Sequence, residues 1–216
     1  MADFRQDFIS FCIGCGVLRF GRFTTKSGRE TPYFFNAGLF NTGSRLDRLA
    51  EFYATAILQS GVAFDMLFGP AYKGIALATG TAMAISRRGR DVPFAFNRKE
   101  AKDHGEGGSI IGAPLAGRVL IVDDVMTAGT AVGESMEILG AAGATPAGVT
   151  VSLDRMERGK GEQSAVQEVQ SRYGVPVITI ATLDDLLEHL RTRSDLRQNV
   201  EAIERYRQLY GAIQNA

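Results

Sequence analysis

A chain of 216 residues is long enough to bury one substantial core, and 45% hydrophobic against 22% charged residues excludes a disordered or fibrous chain. Its 24 basic residues balance 24 acidic ones, which argues against a general nucleic-acid binder and confines any anion affinity to a local site. The charged start Met1-Ala2-Asp3-Phe4-Arg5, and the lack of an apolar run of membrane length, are what a cytoplasmic protein is expected to show.

Residues 2–15 carry apolar side chains at helical spacing and meet Gly14 and Gly16, which predicts an amphipathic helix. Cys12 and Cys15 form a Cys-x-x-Cys, but the chain has no other cysteine and only His104 and His189 as further soft ligands. Their place in and beside the apolar run Phe8–Ile13 favours packed thiols over a zinc or redox pair. Residues 17–23 and 32–36 read as short strands joined by a polar turn at 25–30. A helix over 46–59 stops at Gly61, and a first central strand follows at 63–68. After the loop Gly69-Pro70-Ala71-Tyr72-Lys73-Gly74 comes a small-residue helix over 75–87, then a second strand at 92–96. Residues 97–108 are polar, Gly-rich and without periodicity. Further strands are predicted at 119–122, 147–153 and 175–181, with helices at 131–142, 163–173, 184–193 and 195–210. Strands alternating with helices predict an α/β fold, a central parallel sheet of about five strands with helices on both faces. Residues 1–216 read as one domain: 62–182 supply the core sheet, and 1–40 with 195–216 add a small hood. Ligands in such sheets bind at the strands' carboxyl ends.

The most informative stretch is Val119-Leu120-Ile121-Val122-Asp123-Asp124-Val125-Met126-Thr127-Ala128-Gly129-Thr130-Ala131. Four apolar residues read as a strand buried on both faces, two carboxylates end it, and a small-residue loop opens onto a helix. Backbone N–H groups at such a junction form an anion site. Ala128 and Gly129 admit close approach, and the Thr127 and Thr130 hydroxyls can donate. Asp123 and Asp124 cannot bind phosphate but can accept hydrogen bonds from hydroxyls beside it. Phosphate next to a diol describes a ribose 5-phosphate; the plainer alternative is a capped helix after a buried strand.

Two other segments invite the same weighing. Gly69–Gly74 offers N–H groups and the Lys73 ammonium at a helix start, or else an ordinary turn with a snorkelling lysine. Between Arg98 and Gly108, Arg98, Lys99, Lys102 and His104 fall without apolar anchors ahead of several glycines. A solvated loop is the default there; a cationic lid over a polyphosphate is the functional alternative.

Val119–Ala131 resembles the phosphoribosyl pyrophosphate signature of the type I phosphoribosyltransferases, with strand, acidic pair and Thr-Ala-Gly-Thr loop in one order. It is not a Walker A loop, because no Gly-Lys-Ser/Thr follows the glycine. The segments Phe23–Arg29, Tyr33–Gly38, Arg98–Gly108 and Ser152–Arg155 resemble the hood, lid and base-binding parts of the members that use orotate. That resemblance implies transfer of a phosphoribosyl group from phosphoribosyl pyrophosphate to orotate. Sugar-phosphate contacts would come from Lys26, Tyr72, Lys73, Arg98, Lys99, Lys102, His104, Asp123, Asp124, Val125, Met126, Thr127, Ala128, Gly129, Thr130 and Ala131. Phe34, Phe35, Thr127 and Arg155 would contact the base, the Arg155 fork gripping its carboxylate as lysine could not. Lys102 would stabilise charge on departing pyrophosphate, with Asp124, Arg98 and His104 as further catalytic groups.

The resemblance also implies Mg²⁺ bridged by substrate and water without a direct protein ligand, and a non-proline cis peptide at Ala71–Tyr72. It implies a homodimer whose lid reaches the neighbouring subunit's site, with no nucleic-acid or membrane partner. Two rivals share the signature. A regulator that binds the sugar phosphate without turnover needs neither lid lysine nor Arg155, and a purine or uracil phosphoribosyltransferase should not need hood, lid and Arg155 together.

Overall fold

A computed structural model gives the fold. It describes residues 3–25, 28–102, 108–126, 129–159 and 161–213, and for 100–102 and 108 the backbone alone. The central sheet is built from Met66–Gly69 (β3), Phe94–Lys102 (β4), Gly108–Gly112 (β5), Arg118–Val122 (β6), Thr145–Asp154 (β7) and Val177–Thr182 (β8), in the order β5-β4-β3-β6-β7-β8. All neighbours run parallel except β5, which lies antiparallel on β4 at one edge. A separate hairpin, Leu18–Thr24 (β1) and Glu30–Phe35 (β2), pairs antiparallel.

The apolar runs of β3 and β6 are continuous because both faces of the sheet are covered. Side chains alternate, so Met66, Phe68, Val119 and Ile121 point to one face, where Val132 and Leu139 of Thr130–Ala141 (α4) and Val169 of Ala165–Tyr173 (α5) pack on them. Leu67, Leu120 and Val122 point to the other. That face is covered by Phe4–Gly14 (α1), Gly43–Ser60 (α2), Lys73–Ser86 (α3) and Leu183–Thr192 (α6). The caps are legible locally: Asp3 accepts from Arg5 N, Gly61 ends α2 at φ 70°, and Ser164 with Gln167 forms a reciprocal capping box on α5.

The segment 97–108 departs from the sequence reading. Residues 97–102 continue β4, and β5 returns beside it with Phe96 opposite Ile111 and Asn97 opposite Ile110. The sheet thus has six strands where about five were predicted. The polarity of the segment hid the pairing, since an edge hairpin draws its ladder from backbone groups whatever its side chains are. The last helix, Val200–Tyr210 (α7), also begins later than residue 195, after a 3₁₀ turn at Arg197–Asn199.

Within 1–40, α1 buries Phe8, Ile9 and Cys12 in the main core, and the β1–β2 hairpin, though a separate sheet, joins that core through Leu18, Tyr33 and Phe35. Both cysteines are free thiols, and burial pushes the Cys12 thiol up, away from the reactive thiolate. The hairpin is held from the C-terminal side, with Tyr206 of α7 edge-on to Tyr33 at 6.3 Å and 89°. Among the described residues no helix is long and apolar enough to cross a membrane.

Candidate active site

The carboxyl ends of β3, β6 and β7 lie side by side, and the residues that follow them meet there. Asp123 and Asp124 stand directly after β6, where the strand's hydrogen-bond ladder fixes their backbone. Asp123 N donates to Thr150 O at 3.0 Å, Ser152 N and Oγ donate to Asp124 O at 2.8 and 2.6 Å, and the Tyr53 hydroxyl donates to Asp123 O at 2.7 Å. The two side chains have different settings. Asp123 turns back so that its Oδ1 accepts from Asp124 N at 2.8 Å, and burial, then the neighbouring Asp124 charge, push its carboxyl up to about 7. Asp124 faces the loop after β3, where its Oδ2 lies 2.5 Å from Lys73 Nζ.

That loop is shaped by close backbone approach. A Cβ on Gly69 would stand 2.0 Å from Gly74 O, and one on Gly74 would stand 2.6 Å from Pro70 Cδ, so both positions require glycine. The Ala71–Tyr72 peptide is cis, at the position the sequence singled out. Ala71 N donates to Asn97 Oδ1 of β4 at 2.8 Å, and Lys99 Nζ lies 5.3 Å from the centre of the exposed Tyr72 ring. The strand bearing Arg98 and Lys99 is thereby tied to the Lys73 loop. Arg98 and Lys99 are consecutive in β4, in the stretch where its register with β5 is irregular.

Beyond Asp124, a cavity of about 200 Å³ is lined by Asp123, Val125, Met126, Gly129, Thr130, Ala131 and Val132. Gly129 caps α4 at φ 65°, a left-handed conformation suited to glycine, and α4's first N–H groups open onto this space. A helix N-terminus beside carboxylates that can accept from hydroxyls can hold a phosphorylated sugar.

The base-contact candidates lie on β2 and just after β7. Phe34 and Phe35 are consecutive in β2 and face opposite ways. Phe35 packs into the core against Phe40 at 6.4 Å, whereas Phe34 stacks on Phe23 at 5.5 Å with Arg19 over both rings. Only the Phe34 side chain is thus left to face a ligand, because a strand cannot turn two successive residues to one side. Arg155 leans over the fully buried Tyr33 ring at 4.7 Å. Its Nε and Nη2 reach Glu157 Oε1 at 2.9 and 2.7 Å, and Nη2 donates to Thr31 Oγ1 at 3.2 Å.

Lys26, His104, Thr127 and Ala128 lie outside the described residues, as does the side chain of Lys102, whose backbone ends β4. The remaining expected site residues fall on the same sheet edge or on the hairpin beside it. The sequence reading missed Tyr53, Asn97 and Glu157, and singled out Ser152 only as part of the Ser152–Arg155 segment. Their partners lie up to 124 residues away, as for Tyr33 and Glu157, so no local spacing marks them.

Comparison with known proteins adds to this geometry. The phosphoribosyl transferase domain model matches residues 39–185. The orotate phosphoribosyltransferase of Laribacter hongkongensis is 65% identical over 211 residues, covering 98% of this chain and 99% of that protein. Its counterpart in Thioalkalivibrio sulfidiphilus is 63% identical over 212 residues, covering 98% and 100%. A crystal structure of orotate phosphoribosyltransferase from Francisella tularensis superposes with a TM-score of 0.88 at 42% identity, covering 95% of this chain and 100% of that one.

Proposed function

The chain belongs to the orotate phosphoribosyltransferases of the phosphoribosyltransferase family, and from that membership we propose how its residues carry the reaction. The enzyme moves a 5-phosphoribosyl group from phosphoribosyl pyrophosphate to orotate, giving orotidine 5′-phosphate and pyrophosphate in pyrimidine biosynthesis. Bond breaking at the anomeric carbon develops positive charge on the ribosyl centre and negative charge on pyrophosphate. Catalysis therefore asks for alignment and charge stabilisation rather than a protein nucleophile. The observation that carries the residue assignment is the Lys73–Asp124 contact, which joins the loop after β3 to the acidic pair after β6.

In this assignment the 127–131 loop, which opens α4, holds the 5′-phosphate, with Val125 and Met126 as further sugar-phosphate contacts. Asp123 and Asp124 accept hydrogen bonds from the ribose hydroxyls. Tyr72, Lys73 and Lys26 face the pyrophosphate, while Arg155, Phe34, Phe35 and Thr127 face orotate, Phe35 by its backbone because its ring is in the core. Arg98, Lys99, Lys102 and His104 belong to the lid, and Lys102 neutralises the leaving group.

Mg²⁺ completes the reading. The adjacent carboxylates are hard oxygen donors of the kind a magnesium ion accepts, and Asp123 and Asp124 would stand alongside a cation held by substrate oxygens and water. When bound, it supplies positive charge to the pyrophosphate as it leaves. The working form is proposed to be a cytoplasmic homodimer with each lid serving the neighbouring site.

The direct test mixes protein, Mg²⁺, phosphoribosyl pyrophosphate and orotate and follows orotate absorbance. Loss of absorbance with release of pyrophosphate is expected. Product from uracil or a purine but none from orotate would overturn the reading. Lys102→Ala should lower kcat far more than it raises either KM, the sign of a contact made in the transition state.

A further inference from the structure

Arg155 is not free to present its guanidinium in any direction. Its Nε and Nη2 both converge on Glu157 Oε1, at 2.9 and 2.7 Å, and Nη2 also reaches Thr31 Oγ1 at 3.2 Å. The same carboxylate oxygen accepts from the Tyr33 hydroxyl at 3.2 Å, and burial raises that phenol so that it stays a donor. Tyr33 is fully buried under the guanidinium, and the Arg155 and Glu157 side chains are only 18% and 16% exposed. Among these contacts Nη1 alone is unused, and it is the part of the fork left for a ligand.

The backbone is arranged to make this pair. Met156 between them has φ 53°, a left-handed conformation that a non-glycine residue adopts at a cost, here supported by Asp154 Oδ1 accepting Met156 N at 2.8 Å. The bend is then pinned from two sides. Arg29 Nη1 and Nη2 donate to Arg158 O and Gly159 O at 2.9 and 3.1 Å, while Arg158 N and Ala212 N donate to Tyr210 O and Met156 O at 2.9 and 2.8 Å.

We propose that Glu157 is a positioning residue for base recognition: it fixes the Arg155 guanidinium so that Nη1 alone meets the carboxylate of the incoming base. The proposal rests on the assignment of Arg155 to orotate made above. Glu157 has a second effect. An internal carboxylate already balances the Arg155 charge, so the half-buried cation is paired when no substrate is bound, and geometry rather than excess positive charge selects the acidic base.

The test measures KM for orotate and for phosphoribosyl pyrophosphate in Glu157→Ala, Glu157→Gln and Arg155→Ala, with melting temperature as the folding control. Glu157→Ala is expected to raise the orotate KM about ten-fold and leave the sugar-phosphate KM within about two-fold. Glu157→Gln keeps an acceptor oxygen where all the donors converge and removes the competing charge. Its orotate KM should therefore return to the wild-type value or below, which a merely structural role would not produce. Equal rises in both KM values, an unchanged orotate KM in Glu157→Ala, or a glutamine variant as impaired as alanine would each overturn the proposal. Arg155→Ala locates such a failure. If it raises the orotate KM while Glu157→Ala does not, Arg155 grips the base without needing Glu157; if it too is silent, the assignment of Arg155 falls and takes this proposal with it. Should Glu157→Ala fail to fold, Glu157→Leu, which fills the volume and accepts no hydrogen bond, takes its place: an orotate KM raised about three-fold or more supports the idea, and any smaller rise sinks it.

Discussion

Lys73 Nζ sits 2.5 Å from Asp124 Oδ2, so the cation of one βα loop is held by the carboxylate of the loop beside it in the sheet. The contact is local in space and remote in sequence, and it draws the two loops into one pocket. Phosphoribosyl pyrophosphate would replace it with two better-matched contacts, its hydroxyls on the carboxylate and its pyrophosphate on the ammonium. The pair joins a solvated ammonium to a buried carboxylate, since the Lys73 side chain is 58% exposed and that of Asp124 only 11%.

Removing the lysine should therefore cost binding and some stability. The ammonium is solvated, but its loss leaves the buried Asp124 carboxylate without its cation, at a cost of about 1–2 kcal/mol, so Lys73→Ala is expected to melt about 2–6 °C below wild type. Its KM for phosphoribosyl pyrophosphate should rise about ten-fold with the orotate KM nearly unchanged. Steady-state kinetics with each substrate varied, beside a thermal melt, checks both halves. A large drop in melting temperature would make the contact structural instead.

Asp123 gives a pH dependence with a definite sign. Its carboxyl is pushed up to about 7 by burial and by Asp124, against an ordinary 3.8. Between those values the unfolded chain releases a proton that the folded chain retains, so this group's contribution favours folding below about 4 and is lost as pH rises through 7. Asp123→Asn retains an oxygen to accept from Asp124 N and has no proton to lose. Melting curves should therefore show the variant gaining on wild type between pH 5 and pH 8, with little difference at pH 4. A constant difference across that range would show that Asp123 does not titrate there.

Much of this arrangement could be read from the chain because its signals are short-range. The double-faced burial of β6, the carboxylates that end it and the Gly129 opening of α4 lie within 13 consecutive residues, and each has a local physical cause. The loop after β3 was legible for the same reason: its glycines and Lys73 are fixed by their immediate neighbours. The β4–β5 hairpin was not, because edge pairing is set by backbone groups and leaves no apolar alternation in Asn97–Lys102. Glu157 was hidden differently. In Asp154-Arg155-Met156-Glu157-Arg158 it reads as part of a charged surface turn, and only the fold brings Tyr33 beneath it. Sequence distance erased that signal, not ambiguity in the residue types.

The approach of Gly69 to Gly74 sets a packing test. A methyl group on Gly69 would collide with the Gly74 carbonyl at 2.0 Å and with Ala78 Cβ at 2.8 Å, both in the rigid start of α3. Neither neighbour is the tip of a flexible side chain, so the loop must shift. Gly69→Ala is expected to lose about 2–3 kcal/mol, or about 5–10 °C in melting temperature, and to weaken sugar-phosphate binding because Lys73 moves with the loop. Calorimetry together with the KM for phosphoribosyl pyrophosphate measures it. A variant with wild-type values of both would mean that the loop is more yielding than this contact implies.

Phe34 and Phe35 should separate cleanly, although they are adjacent. Phe35 is 9% exposed and packed on Phe40, so Phe35→Ala leaves a cavity in the core and should cost about 3 kcal/mol or more. At this chain length that is a fall of roughly 6–12 °C in melting temperature. Phe34 lies on the opposite face of β2, stacked on Phe23 beneath Arg19 and only half-buried. Phe34→Ala should melt within about 4 °C of wild type, and if its ring faces the base its effect should appear as a raised orotate KM. The two variants together decide which face of the hairpin the ligand uses. A raised orotate KM in Phe35→Ala, at a temperature where that variant is still folded, combined with none in Phe34→Ala, would mean that the core-facing side of β2 reaches the ligand, against the alternation that the strand imposes.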